Sequence, residues 1–575
     1  MATRRGKPLT QAEIESVLFA SDDDSDDTVV VDDLQSSDSE SDSSDEDVGS
    51  DAESNSSDVD CAPPAKAPKL EDWKWNPTDS DKKVEKCLFS GNSGMKRTVQ
   101  LALSANPTAL TSFNCLIGED FWQMIADETN AFAVLKQASA PDRSWFPTTP
   151  GEMKVFFAVC VLMGQVKKNT IQSYWAHRSV ISTPFFPSLM PRQRYQALCK
   201  YLHFSDSSGQ AQGDRLWKLR SVLEYVLESF SSSYYPEEQL AVDESLMKFR
   251  GRLCFVQFNP SKRARFGIKF YKICESTSGY CLKFAIYTGK SDKSPATAGM
   301  LCSEAVVIEL ASEYLPNGHT IFVDNWYSSP SLFLRVKDSG SNAVGTARLH
   351  RKNMPKDFKK LNLQRGECST VFSHGIMASK WQDKKPVTML STVHAAADFT
   401  DSCKKTRDGQ PIRKPRVVLD YNKGMGGVDR HDQQLASFPI MRRYAKGYRK
   451  IFFYVMDLAV YNSYILFQKA TGKKMSYADW KLDLVEQIVE ETVLPGYQRR
   501  GKPAVASSPM RLEASEWAHF PRQILPNAVK ENPSRRCVVC KAQGKRNESR
   551  WECEKCNVAL HMPECFKMYH TRKNF

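Results

Sequence analysis

Across the forty residues from Ser21 to Asp60 the chain has no lysine or arginine, while seventeen aspartates and glutamates crowd the same stretch. Too few large apolar residues accompany them to build a core, so a disordered acidic region is expected there. Nowhere does an apolar run approach the roughly twenty residues that cross a bilayer. The most conspicuous, Val155 to Gly164, is about half that, and a soluble protein is expected. The start, Met1-Ala2-Thr3-Arg4-Arg5, is polar and lacks a secretory signal. Eleven of the sixteen cysteines follow no spacing, which argues against a disulfide framework and for an intracellular chain.

What is present points to several domains. A length of 575 residues suits three or four of them, and 41 % apolar content is ample for a core. The formal net charge of +12 hides a stronger asymmetry, because without the acidic stretch the other 535 residues carry +29. Such a surface favours a polyanionic partner, although lysines also serve solubility alone. Phosphorylation of serines that precede acidic residues would make the tail more negative and let it compete with DNA for that surface. A plain solvating tail explains the composition equally well.

The last thirty-nine residues carry seven metal-ligand side chains: Cys537-x2-Cys540-x12-Cys553-x2-Cys556-x4-His561-x3-Cys565-x4-His570. Short CxxC loops place two thiolates on one ion, the pattern of structural zinc. In a cross-braced arrangement Cys537, Cys540, His561 and Cys565 hold one ion while Cys553, Cys556 and His570 hold a second. The second set is one ligand short, leaving water, a carboxylate or nothing for the fourth position. A RING- or PHD-like finger has similar spacing, but explains neither the charge nor the aspartates below.

Upstream, disorder is expected to about residue 110, then helices over Phe121–Val134, Pro150–Gln165, Pro191–His203 and Asp214–Ser232, with Thr149 capping and Pro150 at the first helical position. The period then changes: Gln239–Asp243, Phe266–Cys274 and Tyr280–Tyr287 read as strands, Ala296–Leu315 as a helix, His319–Asp324 as a strand and Ser331–Lys337 as a helix. Three strands, a helix, a strand and a helix are the opening of a ribonuclease-H-like α/β layer. Short strands with basic loops follow over 347–415 as an apparent insertion, helices resume from Met425 to about Gln487, and a Gly/Pro/Ser linker leads towards the cysteines.

Asp243 and Asp324 end two of those strands, and Asp429 lies in Gly426-Gly-Val-Asp-Arg-His-Asp-Gln433. An aspartate after an apolar strand is commonly a turn residue. In this layer, however, the first and fourth strands are neighbours, so their ends face each other and a helix-borne carboxylate can join them. Clustered carboxylates need cations, and hard oxygen donors with open positions suit a pair of magnesium or manganese ions. Asp432, three residues on, reads either as a fourth ligand or as a helix-surface residue. Basic side chains stand near each block: Lys262, Arg263 and Arg265 after the first strand, and Arg442, Arg443, Lys446, Arg449 and Lys450 beyond the third aspartate, all placed to hold DNA phosphate. Phe452, Phe453 and Tyr454 read as core. Trp326 reads as packing under the site or as a stacking surface for an unpaired base.

Five ordered blocks resemble the piggyBac transposase family: Asp243-Glu-Ser-Leu-Met-Lys-Phe-Arg-Gly-Arg252, Asn259-Pro-Ser-Lys-Arg-Ala-Arg-Phe-Gly-Ile-Lys-Phe270, Val323-Asp-Asn-Trp-Tyr-Ser-Ser329, Tyr421-Asn-Lys-Gly-Met-Gly-Gly-Val-Asp-Arg-His-Asp-Gln433, and the knuckles ending in Cys565-Phe-Lys-Met-Tyr-His570. The resemblance runs from about residue 110 to the end. It implies a multidomain α/β protein: a disordered region over 1–110, a helical dimerisation and DNA-binding domain over 111–236 and 441–532, a ribonuclease-H-like catalytic domain over 237–346 and 416–440 interrupted by an insertion at 347–415, and a cysteine-rich zinc-binding domain over 533–575. It also implies a homodimeric, nuclear, cut-and-paste transposase that cleaves double-stranded DNA at terminal inverted repeats through hairpin ends and integrates at TTAA. Asp243, Asp324 and Asp429 are then the catalytic triad. The use of His561 and His570 departs from cysteine-richer members. A host-adopted relative that binds DNA or chromatin without cutting it is the alternative.

Overall fold

The computed structural model describes residues 73–77, 84–142, 144–205, 213–251, 253–258, 266–289, 300–396, 398–405, 411–440, 446–497 and 519–575. Two compact units divide the chain, residues 1–495 and 496–575.

The first unit begins earlier than expected. A helix, α1, spans Arg97–Ala105, and residues ahead of it are tied to the body largely by polar contacts. The Cys87 N–H donates to Asn342 Oδ1 at 2.8 Å, Asn342 Nδ2 returns a bond to Cys87 O at 2.9 Å, and Ser90 N donates to Asn317 O at 3.0 Å, while Val84 alone among the described residues there joins an apolar cluster of the sheet. Anchoring that is mostly through backbone leaves no hydrophobic periodicity, which is why composition places these residues with the disordered tail.

Helices α2 (Glu119–Ser139), α3 (Pro150–Gln165), α4 (Arg192–Tyr201) and α5 (Arg220–Ser233) follow. The start of α3 is the expected one: Thr149 Oγ1 accepts from Glu152 N at 3.2 Å and Pro150 opens the first turn. Glu152 is fully buried and forms a two-pronged bond to Arg194 of α4, at 2.8 Å from Nε and 2.6 Å from Nη2, with Thr148 Oγ1 donating at 2.7 Å.

A nine-stranded sheet occupies the middle of the unit. Its strands are β1 (Gln239–Lys248), β2 (Phe266–Glu275), β3 (Cys281–Ile286), β4 (Thr320–Val323), β5 (Asn342–Thr346), β6 (Cys368–Ser373), β7 (Ile376–Gln382) and β8 (Pro386–Ser391), with a short piece at Gln257–Phe258. Helices α6 (Cys302–Ala311) and α7 (Pro330–Asp338) precede and follow β4. β1, β2 and β3 pair antiparallel, while β4 runs parallel to β1 and β5 parallel to β4. All four residues of β4 are buried, as a parallel strand covered on both faces requires.

The region expected as an insertion does hold short strands, but three of them continue this sheet. β8 pairs with the free edge of β5, Met389 opposite Thr346, and β7 and β6 add on antiparallel. Their apolar face joins β4 and β5 in one cluster of Phe322, Val344, Met377, Trp381, Met389, Val417 and Val418.

Helices α8 (Arg416–Gly424), α9 (Gly427–Ser437), α10 (Gly447–Thr471) and α11 (Tyr477–Glu491) close the unit. α10 corrects the expectation about apolar length. At 25 residues it is long and apolar enough to cross a membrane, yet 94 % of its most apolar window is buried inside the protein, as in a core helix. Phe452, Phe453 and Tyr454 are part of that core.

Glu152→Ala leaves the Arg194 guanidinium buried without its counter-charge, and is expected to cost about 3–5 kcal/mol, read as a lowered urea midpoint of the full chain.

Candidate active site and metal centres

One strand pairing brings two of the three aspartates together. β1 and β4 run parallel with Val242 opposite Val323, so the next residue of each is an aspartate at the same level. β4 stops there while β1 runs on to Lys248 along β2. Asp324 turns the chain sharply: its Oδ1 accepts from Trp326 N at 2.9 Å and Tyr327 N at 3.4 Å, and its carbonyl accepts from Ser328 N at 3.1 Å.

Asp429 arrives on the first turn of α9. That helix start lies against the beginning of β1 and the turn after β2. A Cβ on Gly427 would stand 2.9 Å from Glu275 O and 3.3 Å from Ala241 Cβ, so glycine alone permits the approach. Beneath it, Gly279 takes φ +78° and passes close to Gly427 O.

The carboxylates act on one another. Burial, then the charges of Asp324, Glu244 and Asp429, push the Asp243 carboxyl up to about 7. Asp324 is raised as well, by burial above all and by Glu244, against the backbone N–H donors and Arg348. Tyr421 is pushed up to about 12 by burial and by Asp324, Asp243 and Asp429, so the three carboxylates share one neighbour. Such a set suits hard divalent cations held by oxygen. It is open rather than tight: among the described residues, the groups whose ligand atoms all lie within 4.8 Å of one another are two Cys/His sets, not the aspartates.

Asp432, read as a fourth ligand or a helix-surface residue, is instead engaged through one of its oxygens in an ion pair. Its Oδ1 is taken by Lys272 Nζ and by Ser245 Oγ, each at 2.8 Å, and Lys272 beside it holds its carboxyl below the usual range even though burial pushes the other way. Arg449 is a second correction. Only 4 % exposed, it turns inward and donates to Lys200 O at 2.7 Å and Leu202 O at 3.2 Å at the end of α4, leaving no guanidinium face for phosphate. Lys446 and Lys450 are half-buried, with Lys450 Nζ 6.0 Å from the Phe249 ring centre. Lys262, Arg263, Arg265, Arg442 and Arg443 lie outside the described residues. Trp326 stacks on Tyr271 at 5.8 Å and meets Tyr327 edge-on at 4.7 Å, with Lys269 Nζ 4.7 Å from its ring centre. It is packed on one side and half-exposed.

The second unit gathers two sets of Cys and His side chains that could each hold a metal ion. Cys537, Cys540, His561 and Cys565 form the first as the cross-brace predicts, with Cys540 Sγ 3.8 Å from Cys565 Sγ and 3.5 Å from His561 Nδ1. A tetrahedron with Zn–S of about 2.3 Å has sulfur edges of about 3.8 Å, so the donors already stand at zinc spacing. Cys553, Cys556 and His570 form the second, and its missing ligand is His519, whose Nδ1 is 3.5 Å from Cys553 Sγ and 3.3 Å from Cys556 Sγ. Each terminal histidine is oriented through its other ring nitrogen, His561 Nε2 to Glu548 O at 3.1 Å and His570 Nδ1 to Phe566 O at 2.7 Å. The core here is small, Val539, Leu560 and the buried cysteines with a few side chains around them, so zinc binding would supply much of the folding energy.

Comparison with known proteins follows the same outline. A family model described as Transposase IS4 matches residues 108–464. Human PiggyBac transposable element-derived protein 3 is 24 % identical over 434 residues, 74 % of this chain and 70 % of that protein. Human PiggyBac transposable element-derived protein 2 is 25 % identical over 369 residues, 62 % of this chain and 60 % of that one. Among solved structures, a piggyBac transposase synaptic complex with hairpin DNA matches with a TM-score of 0.64 and 21 % identity, covering 82 % of this chain and 97 % of the other, which is a likeness of fold.

Two outcomes are expected. Elemental analysis of His519→Ala should find about one zinc fewer per chain than wild type, because a Cys2His set no longer closes. Asp243→Asn removes a charge that is poorly solvated only in the folded state, so it should raise the unfolding temperature of metal-free protein above pH 7. That gain should shrink as the pH falls below 7 and vanish only well below the ordinary carboxylate value of 3.8, where the wild-type carboxyl is protonated in both states.

Proposed function

The chain belongs to the piggyBac-type transposase family that the Transposase IS4 model describes, and from that membership we propose that it is an active cut-and-paste DNA transposase. The observation that carries the reading is the approach of Asp243 in mid-β1, Asp324 just past β4 and Asp429 in the first turn of α9. A strand order of β3-β2-β1-β4-β5, with the first three antiparallel and the last two parallel to β1, supports a ribonuclease-H-like catalytic layer around them.

In this reading the three aspartates would hold magnesium or manganese, ions whose chemistry when bound is to activate an attacking oxygen and to neutralise a leaving one. The chain's own contribution is placement. Backbone N–H groups aim Asp324, the β1–β4 register sets Asp243 beside it, and the glycine contact at Gly427 lets α9 bring Asp429 close. Water attacks the phosphodiester at the element's end, the freed 3′-hydroxyl closes a hairpin on the opposite strand, and after resolution that hydroxyl attacks TTAA target DNA. No protein nucleophile is needed. The solved structure of similar fold, a piggyBac transposase synaptic complex with hairpin DNA, supports this sequence of steps.

Affinity for double-stranded DNA would come from phosphate contacts of Lys262, Arg263, Arg265, Arg442, Arg443, Lys446 and Lys450, and from the zinc module at transposon ends. Action as a homodimer in the nucleus completes the proposal.

The test is plasmid excision from a donor whose matching ends sit at TTAA. Wild type should excise without a footprint and Asp324→Asn should not. Binding of those ends by wild type without excision would replace this reading with that of a DNA-binding relative that no longer cuts.

A further inference from the structure

Lys272 stands in the middle of β2, directly across from Asp243 in the antiparallel pair, with its side chain fully buried. A buried ammonium must be fully partnered. Its Nζ donates to Asp432 Oδ1 and to Tyr454 Oη, each at 2.8 Å, and the same Asp432 oxygen accepts from Ser245 Oγ. Four elements therefore meet on one charge: β1 through Ser245, β2 through Lys272, α9 through Asp432 and α10 through Tyr454. On α9, Asp432 lies one turn beyond Asp429, on the same face. Next to it, His431 is buried and its Nδ1 bonds Gly279 O at 2.8 Å, a second tie on the same turn.

We propose that Lys272 is a positioning residue: by its ion pair with Asp432 it fixes the rotation of α9 about its own axis, and so delivers Asp429 to Asp243 and Asp324. An apolar pair would hold helix and sheet together while leaving that rotation soft, whereas an ion pair with a shared hydroxyl donor has a narrow geometry. The inference rests on the reading of the three aspartates as a divalent-metal site, but the lock itself is a matter of geometry in the free protein.

The experiment compares wild type, Lys272→Met, Asp432→Asn and the double variant Lys272→Met/Asp432→Leu, as full chains. Three quantities are read: unfolding temperature, amide hydrogen exchange across Gly427–Ser437, and Mn2+ affinity, with Asp324→Asn as the reference for loss of the site. Lys272→Met strands a carboxylate and should lower the unfolding temperature, speed exchange in α9 and weaken Mn2+ binding on the order of tenfold. The double variant leaves no stranded charge and should recover the unfolding temperature while keeping fast exchange and weak Mn2+ binding. Asp432→Asn leaves the buried Lys272 ammonium without its counter-charge and should, like Lys272→Met, lower the unfolding temperature and speed exchange in α9. If the double variant regains wild-type exchange and Mn2+ affinity, or Lys272→Met loses neither, the pair is only a packing element and the proposal fails. Should Lys272→Met not fold, the double variant decides. Should wild type itself take up no Mn2+ beyond the Asp324→Asn level, the metal-site reading falls, and exchange across α9 still decides the lock.

Discussion

Like charges brought together out of water repel, and this chain sets two carboxylates at one level of a sheet and a third on the helix packed beside them. Every neighbouring element is arranged to bear that cost. The parallel pairing of β1 with β4 forces Asp243 and Asp324 to the same height. Backbone donors at Trp326 and Tyr327 stabilise one of them as an anion. Asp243 has a single such donor, from Glu244, and stays poised near neutrality. A site of this kind is strained until a cation arrives, so the surrounding fold must be stable enough to hold it without one.

Its support comes from behind. α9 approaches the sheet as closely as backbone can, through Gly427 and Gly279, and α10 backs both. Buried charges on that side have partners: Lys272 with Asp432, Lys481 with Asp457 and with the Phe438 carbonyl, and the Arg449 Nη2 group with carbonyls at the end of α4. The division of labour is clear. Unmatched charge of one sign faces the opening, and matched charge faces the core.

Much of this was legible in the residues. Thr149-Pro150 announced its helix to the residue, because cap and first-turn preferences are local. Asp243 and Asp324 could be read from apolar strands, Asp429 from its glycine-rich block, and the first metal set from spacing within thirty residues, although β1 runs on past Asp243 to Lys248 and does not end there. What escaped depends on distance along the chain. His519 stands 34 residues before its nearest partner in the metal set, so no spacing rule reaches it. The pairing of Asp432 with Lys272 joins residues 160 apart, and a lysine inside Phe-Tyr-Lys-Ile-Cys gives no sign of which carboxylate it will meet. Arg449 read as a phosphate contact because basic residues surround it, though its own position on α10 faces inward. The strands of 368–391 were visible as strands, but nothing local says that they extend an existing edge.

The placement of α10 carries a consequence for how the chain comes to fold. Its polar ties reach back to Lys200, Lys272, Ser278 and Cys281, residues made 181 to 249 positions earlier. During synthesis the sheet and the first helices therefore leave the ribosome well before the helix that fills the space between them. Until it emerges, their apolar faces are open to other chains, and contacts of such long range close slowly. The first unit thus matures late and nearly all at once, which makes it a natural client for chaperones and makes its closing stretch, from Gly447 to Pro495, the step that ends that dependence.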